Sequence, residues 1–342
     1  MGILNFSKIF PGREVKYKDL KGLTAIIDGS IIAYQAKLGI KNINALTDGA
    51  GNPTIHNSVV FAKCLNFQKC GIKQVWIFDY HENGYVNPAK TLELEKRKKI
   101  KEASQVKLKA LQDKQKELKS KAEKNELFSS DDEDESDEET AKDIEAQIHA
   151  QEKIGFSIDD TIINDIKFIL DCFNIPWCDA PKGYEAESIC SSLTNNNMGD
   201  LVWTTDTDTM IYGAKRIVRE LKVNKKKQLM MYELDTILEG NDITMDDLRK
   251  IAVIAGCDHC KKTPGIGPKT ILKKFKDVEL TDEQKKAVKV FEKTYDITKL
   301  KWHNIDNEPF EDKDKMTKLL DWLESKNFNR ERISKQIDKA LN

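Results

Sequence analysis

LTAIID, residues 23–28, is a short apolar, β-prone run that stops on an acid. Runs this short and this apolar read as strands buried on both faces, as in a parallel sheet. VWIFD at 75–79 and LVWTTD at 201–206 repeat the pattern, and each again ends on an aspartate. Helical periodicity falls between them, at about 55–70, 158–173 and 185–194. Strand alternating with helix implies an α/β fold, a mostly parallel central sheet flanked by helices. Ligands of such sheets sit beyond the carboxyl ends of the strands. Asp28, Asp79 and Asp206 are therefore expected on one edge.

Residues 88–150 interrupt the alternation. The stretch 88–126 is rich in Lys, Leu, Glu and Gln, all strong helix formers. Between 96 and 124 it carries 12 basic residues and four acidic ones. Next comes SSDDEDESDEET, acidic from 131 to 139 at every position but Ser136. With no apolar residue to bury, this tract is expected to be disordered. Ser129, Ser130 and Ser136, set among acids, are candidate phosphorylation sites. A helical excursion with an acidic tether, inserted in an α/β domain, suggests a lid or arch; a solvated helix with a spacer is the plainer alternative. After residue 232 the chain reads as helical, at about 244–256, 268–275, 281–294, 313–325 and 329–340.

The whole chain has 342 residues, 39% hydrophobic and 33% charged, with a net charge of −1 and mean hydropathy −0.57. No run nears the roughly 18 apolar residues of a membrane span. MGILNFSKIF lacks the charged-then-apolar order of a signal peptide, so the expectation is an intracellular protein. Its net charge is a cancellation between the basic helix and the acidic tract, so it does not argue against nucleic acid. Seven irregularly spaced cysteines do not read as a disulfide framework. Cys257 and Cys260 form a CxxC, but a structural zinc site needs a second ligand pair, and Cys172 and Cys178 are badly spaced to supply it. Packed, reduced thiols are the better reading.

Singly, each strand-end acid has an ordinary role open to it. Asp28-Gly-Ser suits a turn or a helix cap, and Asp79 could do the same. Glu185 and Glu187 open a helix, where carboxylates favour the positive end of the dipole. Asp206 and Asp208 could form a turn. The set is harder to dismiss, because four segments bring acids to one edge and Asp258 ends a helix, where a carboxylate opposes the dipole. Magnesium gives such a cluster a reason, being a hard ion that takes carboxylates and water. Two ions about 4 Å apart can stabilise the attacking and leaving oxygens of a phosphoryl displacement. At Gly265-Ile266-Gly267-Pro268-Lys269, glycines let the backbone approach a phosphate, Pro268 suits a first helical turn, and Lys269 adds charge.

These strings, in this order, resemble the flap endonuclease branch of the XPG/Rad2-type 5′-nucleases. The likeness runs from Met1-Gly2-Ile3 and IIDGS through VWIFD, APKGYEAES, TTDTDTMIYGA and IAGCDHCKKTPGIGPKT to FNRERISKQIDKAL. It implies a PIN-like nuclease core with a helical arch and a C-terminal helix-two-turn-helix region. The divisions would be 1–87, 88–150 (arch and acidic insertion), 151–235 and 236–342, within one continuous nuclease domain. The family's metal ligands fall on Asp28, Asp79, Glu185, Glu187, Asp206, Asp208 and Asp258, implying two Mg2+ ions for which Mn2+ can substitute. Lys90 and Arg97 match the arch residues that hold the scissile phosphate, and Tyr34 matches an aromatic on which a base stacks. DNA contacts are implied at Gly2, Lys63 (a partial match to an arginine), Gly265, Gly267 and Lys269, with K+ at the last segment.

By this resemblance the protein is a structure-specific 5′ flap endonuclease and 5′-3′ exonuclease of replication and repair. Its partner is branched DNA: a 5′ flap, or a nicked or gapped duplex. A monomer is expected, with no membrane, acting in the nucleus or, for a large DNA virus, in the cytoplasm. The alternatives are a fork or Holliday-junction resolvase of the same superfamily and a non-catalytic DNA-shape clamp. The chain departs from the family in its longer arch, extra residues in the APKGYEAE turn, His259 in place of the usual tyrosine, and the lack of a QxxLxxFF clamp-binding tail.

Overall fold

The computed structural model describes residues 2–39, 47–52, 54–80, 91–126, 135–155, 158–223 and 226–341. Lys90, Ser129 and Ser130 lie outside the described residues. Seven strands form one sheet: β1 (Arg13–Val15), β2 (Thr24–Asp28), β3 (Lys73–Phe78), β4 (Trp177–Asp179), β5 (Leu201–Trp203), β6 (Arg216–Val223) and β7 (Lys226–Glu233). Their spatial order is β1-β7-β6-β5-β2-β3-β4. From β6 to β4 every neighbouring pair is parallel, while β7 runs antiparallel to both β6 and β1. The sheet is mixed, with a parallel centre.

The apolar runs bury both faces, and strand alternation divides them between two cores. Ile26, Ile77 and Val202 join one core; Ile27, Trp76, Phe78, Leu201 and Trp203 join the other. Helices α1 (Phe6–Ile9), α2 (Gly29–Gly39) and α3 (Ile55–Lys69) precede the arch segment. There, α4 (Thr91–Glu126) and α5 (Glu135–Gly155) pack as a hairpin, joined where the Ser104 hydroxyl donates to the Gln151 carbonyl at 2.9 Å. At 1.5 Å per residue α4 is about 54 Å long. The expectation of a disordered acidic tract is corrected from Glu135 onward, because α5 takes in 135–139; acids in a first turn favour the helix dipole.

The remaining helices are α6 (Asp160–Cys172), α7 (Ala186–Asn195), α8 (Asp208–Ile211), α9 (Leu234–Asn241), α10 (Met245–Ala255), α11 (Ile271–Lys274), α12 (Asp282–Phe291), α13 (Lys313–Ser325) and α14 (Arg330–Leu341). Their starts follow from local chemistry. Asp159 caps α6 by accepting from the Ile162 amide, and Thr244 with Asp247 and Thr281 with Gln284 make capping boxes for α10 and α12. Helices α3, α6, α13 and α14 cover one face of the sheet; α7, α8, α10 and α12 cover the other. No helix among the described residues is long and apolar enough to cross a membrane.

Candidate active site

The order β5-β2-β3-β4 sets four carboxyl ends side by side. Asp28 is the last residue of β2, Asp79 follows β3, Glu185 and Glu187 open α7 after β4, and Asp206 and Asp208 follow β5. Asp258 reaches the same edge on the loop after α10. Asp28, Glu185, Glu187, Asp206 and Asp208 are buried, and Asp79 and Asp258 half-buried. The acids thus lie along one edge of the parallel centre.

Short-range donors fix the acids. Asp28 accepts from the Ile31 amide at 3.0 Å and the Thr204 hydroxyl at 3.1 Å. Thr204 in turn accepts from the Asp206 amide at 3.0 Å, and Asp206 accepts from the Asp208 amide at 3.0 Å. Strand β5 therefore ends at Trp203 rather than 206: Thr204 turns away to tie Asp28 to the acid loop. Asp79 is held by its amide, which donates to Ser30 at 3.0 Å. Its carboxylate accepts from the Ala186 amide at 3.0 Å and so caps α7. Glu185 occupies the cap position without using its own side chain there.

The electrostatics follow from this crowding. Burial, then the charge of Asp206, followed by Cys257, Asp258 and Glu185, pushes the Asp208 carboxyl well above the ordinary carboxylate range. Beneath the other acids, burial and then Asp28, Glu187, Cys178 and Asp79 push the Cys190 thiol up.

A hard divalent cation fits this donor set. All seven candidate ligands offer carboxylate oxygens, and the buried Oδ1 of Asp208 accepts no hydrogen bond. As they stand, no three acids, histidines or cysteines among the described residues close around a single point. Like charges repel at this spacing, and the carboxylates spread onto local amides and hydroxyls. Cys257 and Cys260 are buried free thiols 3.5 Å apart, without the four-ligand shell of structural zinc.

The other predicted residues divide. Arg97 of α4 donates to the Tyr34 hydroxyl of α2 and lies 4.8 Å over its ring, so these two meet. Gly2 has φ +86°, and a Cβ there would stand 2.3 Å from Asp206 Oδ1 and 2.5 Å from Thr207 Oγ1. Only glycine lets the N-terminal segment lie against the acid loop, where the Ile3 amide donates to Thr207 at 2.8 Å. Gly265 has φ +76° and, like Gly267 and Lys269, sits in an open turn after α10. The helix expected at 268–275 starts only at Ile271, because Thr270 closes a turn back on Gly267.

Lys63 is corrected. Its ammonium donates to Glu220 at 2.8 Å with side chains only 11% and 10% exposed, under the ring of Trp203. It is a packed ion pair, not a DNA-facing cation. Sequence reading also misses Ser30, Thr204 and Tyr212, which bond to acidic residues, and Thr207, which accepts from the Ile3 amide. Their signal is position, since each lies within four residues of a candidate ligand.

Comparison with known proteins bears on the family and the fold. The XPG I-region family matches residues 174–258, which contain five of the seven acids. Over 351 residues the chain is 28% identical to flap endonuclease 1 of Nanoarchaeum equitans, covering 96% of this chain and 92% of that one. Flap endonuclease-1 from Methanococcus jannaschii superposes with a TM-score of 0.69 at 23% identity, covering 99% and 98%. The catalytic core of Rad2 in complex with DNA substrate gives 0.62 at 18%, covering 99% and 100%. The two superpositions establish the fold.

Proposed function

We infer, from the premise that this chain belongs to the flap endonuclease branch of the XPG/Rad2-type 5′-nucleases, that it cuts branched DNA at a 5′ flap by metal-dependent hydrolysis. The observation that carries the reading is the convergence of Asp28, Asp79, Glu185, Glu187, Asp206, Asp208 and Asp258 on the edge of four adjacent strands. These residues would hold two Mg2+ ions, or Mn2+, which supply a low-pKa water and stabilise charge on the phosphoryl oxygens. Asp79 orders its part of the site by capping α7. The Thr204 bridge keeps Asp28 and the acid loop in register.

Arg97, steadied on Tyr34, offers a planar fork to a phosphate entering beneath the α4–α5 hairpin. Lys90 is proposed as its companion from the resemblance alone. Backbone amides of the turn at 265–269, with K+ and Lys269, would grip duplex DNA through phosphates and carry no sequence information. Substrate choice would then come from shape, with a monomer acting at a flap, nick or gap.

The test is cleavage of 5′-labelled flap, nicked, gapped, forked and four-way DNA in Mg2+ or EDTA. Flap release in Mg2+ that EDTA abolishes is the expected result. Preferred cutting of a fork or four-way junction would move the chain to a sister activity. Binding without cutting on every substrate, in Mg2+ or Mn2+, would leave a DNA clamp.

A further inference from the structure

We propose that Tyr212 is a positioning residue for the site: its hydroxyl fixes the orientation of the Glu185 carboxylate and thereby the metal affinity. This rests on reading Glu185 as a metal ligand. The Tyr212 hydroxyl donates to Glu185 Oε2 at 2.6 Å, inside the protein, with Tyr212 8% and Glu185 5% exposed. His259 Nε2 lies 3.5 Å from the same oxygen. Phe291 of α12 packs edge-on against both rings, with centroids 5.1 Å away in each case.

Glu185 needs such a support. As the N-cap of α7 its backbone is fixed, but its side chain makes no cap bond, and the Ala186 amide is satisfied by Asp79. A glutamate has one more rotatable bond than an aspartate and loses more freedom when it is held. The donor at Oε2 removes that freedom and leaves the second oxygen in a defined place.

Tyr212 is well placed for the task. It ends the one-turn helix α8 whose first residue is Asp208, and its amide donates to the Asp208 carbonyl at 3.0 Å. One helical turn thus presents Asp208 directly and orders Glu185 through the phenol. Partners that orient metal ligands in this way typically change metal affinity by roughly 10–100-fold when removed.

The experiment measures Mn2+ binding by calorimetry, together with thermal melting, for wild type, Tyr212→Phe, Glu185→Gln and Phe291→Leu. Tyr212→Phe keeps the ring against Phe291 and is expected to fold. It should bind Mn2+ about 10-fold more weakly at an unchanged melting temperature, with flap cleavage restored by excess Mn2+. Phe291→Leu, a packing change that leaves the hydrogen bond in place, should melt lower and keep its Mn2+ affinity. If Glu185→Gln weakens Mn2+ binding while Tyr212→Phe does not, the proposal is overturned and Glu185 remains a ligand. Equal weakening in Phe291→Leu would assign the effect to packing and also overturn it. Wild-type Mn2+ affinity in Glu185→Gln would remove the ligand reading and the proposal together.

Discussion

Replacing Asp206 by alanine is expected to slow flap cleavage by at least roughly 10³-fold while leaving DNA binding within a few-fold. Asp206 contributes a buried carboxylate, and its Oδ1 also accepts from the Asp208 amide. Losing it takes one candidate ligand and loosens the turn that carries the next. Single-turnover cleavage on a 5′-labelled flap, paired with a binding titration, measures the two effects separately. Cleavage within tenfold of wild type would remove Asp206 from the chemistry.

The neighbouring variant Asp208→Asn should be as inactive, yet more stable than wild type in EDTA, by about 1 kcal/mol. The sign follows from the raised Asp208 carboxyl. A carboxyl whose folded value lies above its unfolded one binds more protons when folded. Stability is then lost as pH rises from the unfolded value through the raised one. Above the unfolded value, folding must either take up a proton at Asp208 or bury its charge, and asparagine avoids both costs. Adding Mg2+ should stabilise wild type and not the variant, because an ion stabilises only a state that binds it. A lower melting temperature for Asp208→Asn in EDTA would mean that the carboxylate makes a contact the fold requires.

The second large effect is on stability. Lys63→Ala should cost about 3–5 kcal/mol, because it leaves the Glu220 carboxylate buried without its lysine. The same change also strips the alkyl stem that packs over Trp203 and Phe67, with the ammonium 5.0 Å and 5.6 Å from their ring centroids. Converting both partners, Lys63→Met with Glu220→Leu, should recover most of the loss, since an apolar pair needs no charge compensation. Denaturant unfolding measures the three variants. Flap affinity per folded molecule should not change, and a specific loss of affinity at undiminished stability would return Lys63 to the DNA.

Lys63 shows where sequence reading ends. A lysine inside a helix looks the same whether its head meets water or Glu220, and Glu220 lies 157 positions away. The strand-end aspartates are legible because a carboxylate placed directly after a fully apolar run must sit where the sheet meets its ligand edge. The β6–β7 hairpin is not, since its lysine-rich stretch dilutes the strand signal. Pro268 favours a helix start and so points to α11 three residues early, whereas Thr270 and Gly267 bond each other and delay it. Composition describes the acid tract well but cannot see that Glu135 begins a helix. Tyr212 belongs to the TTDTDTMIYGA string, but its partner is 27 residues upstream, and only packing joins them.

The hydrogen bond from Thr204 to Asp28 joins residues 176 positions apart in the chain. β2, inside the sheet, therefore waits for β5, and the last acid waits for α10. Pairings of such separation close late, because loop entropy must be met before contact energy is returned. A chain still emerging from the ribosome carries Asp28 and Asp79 long before it can assemble an edge. The edge is complete only once the chain has supplied Asp258, so a chain that stops before it lacks part of the candidate site.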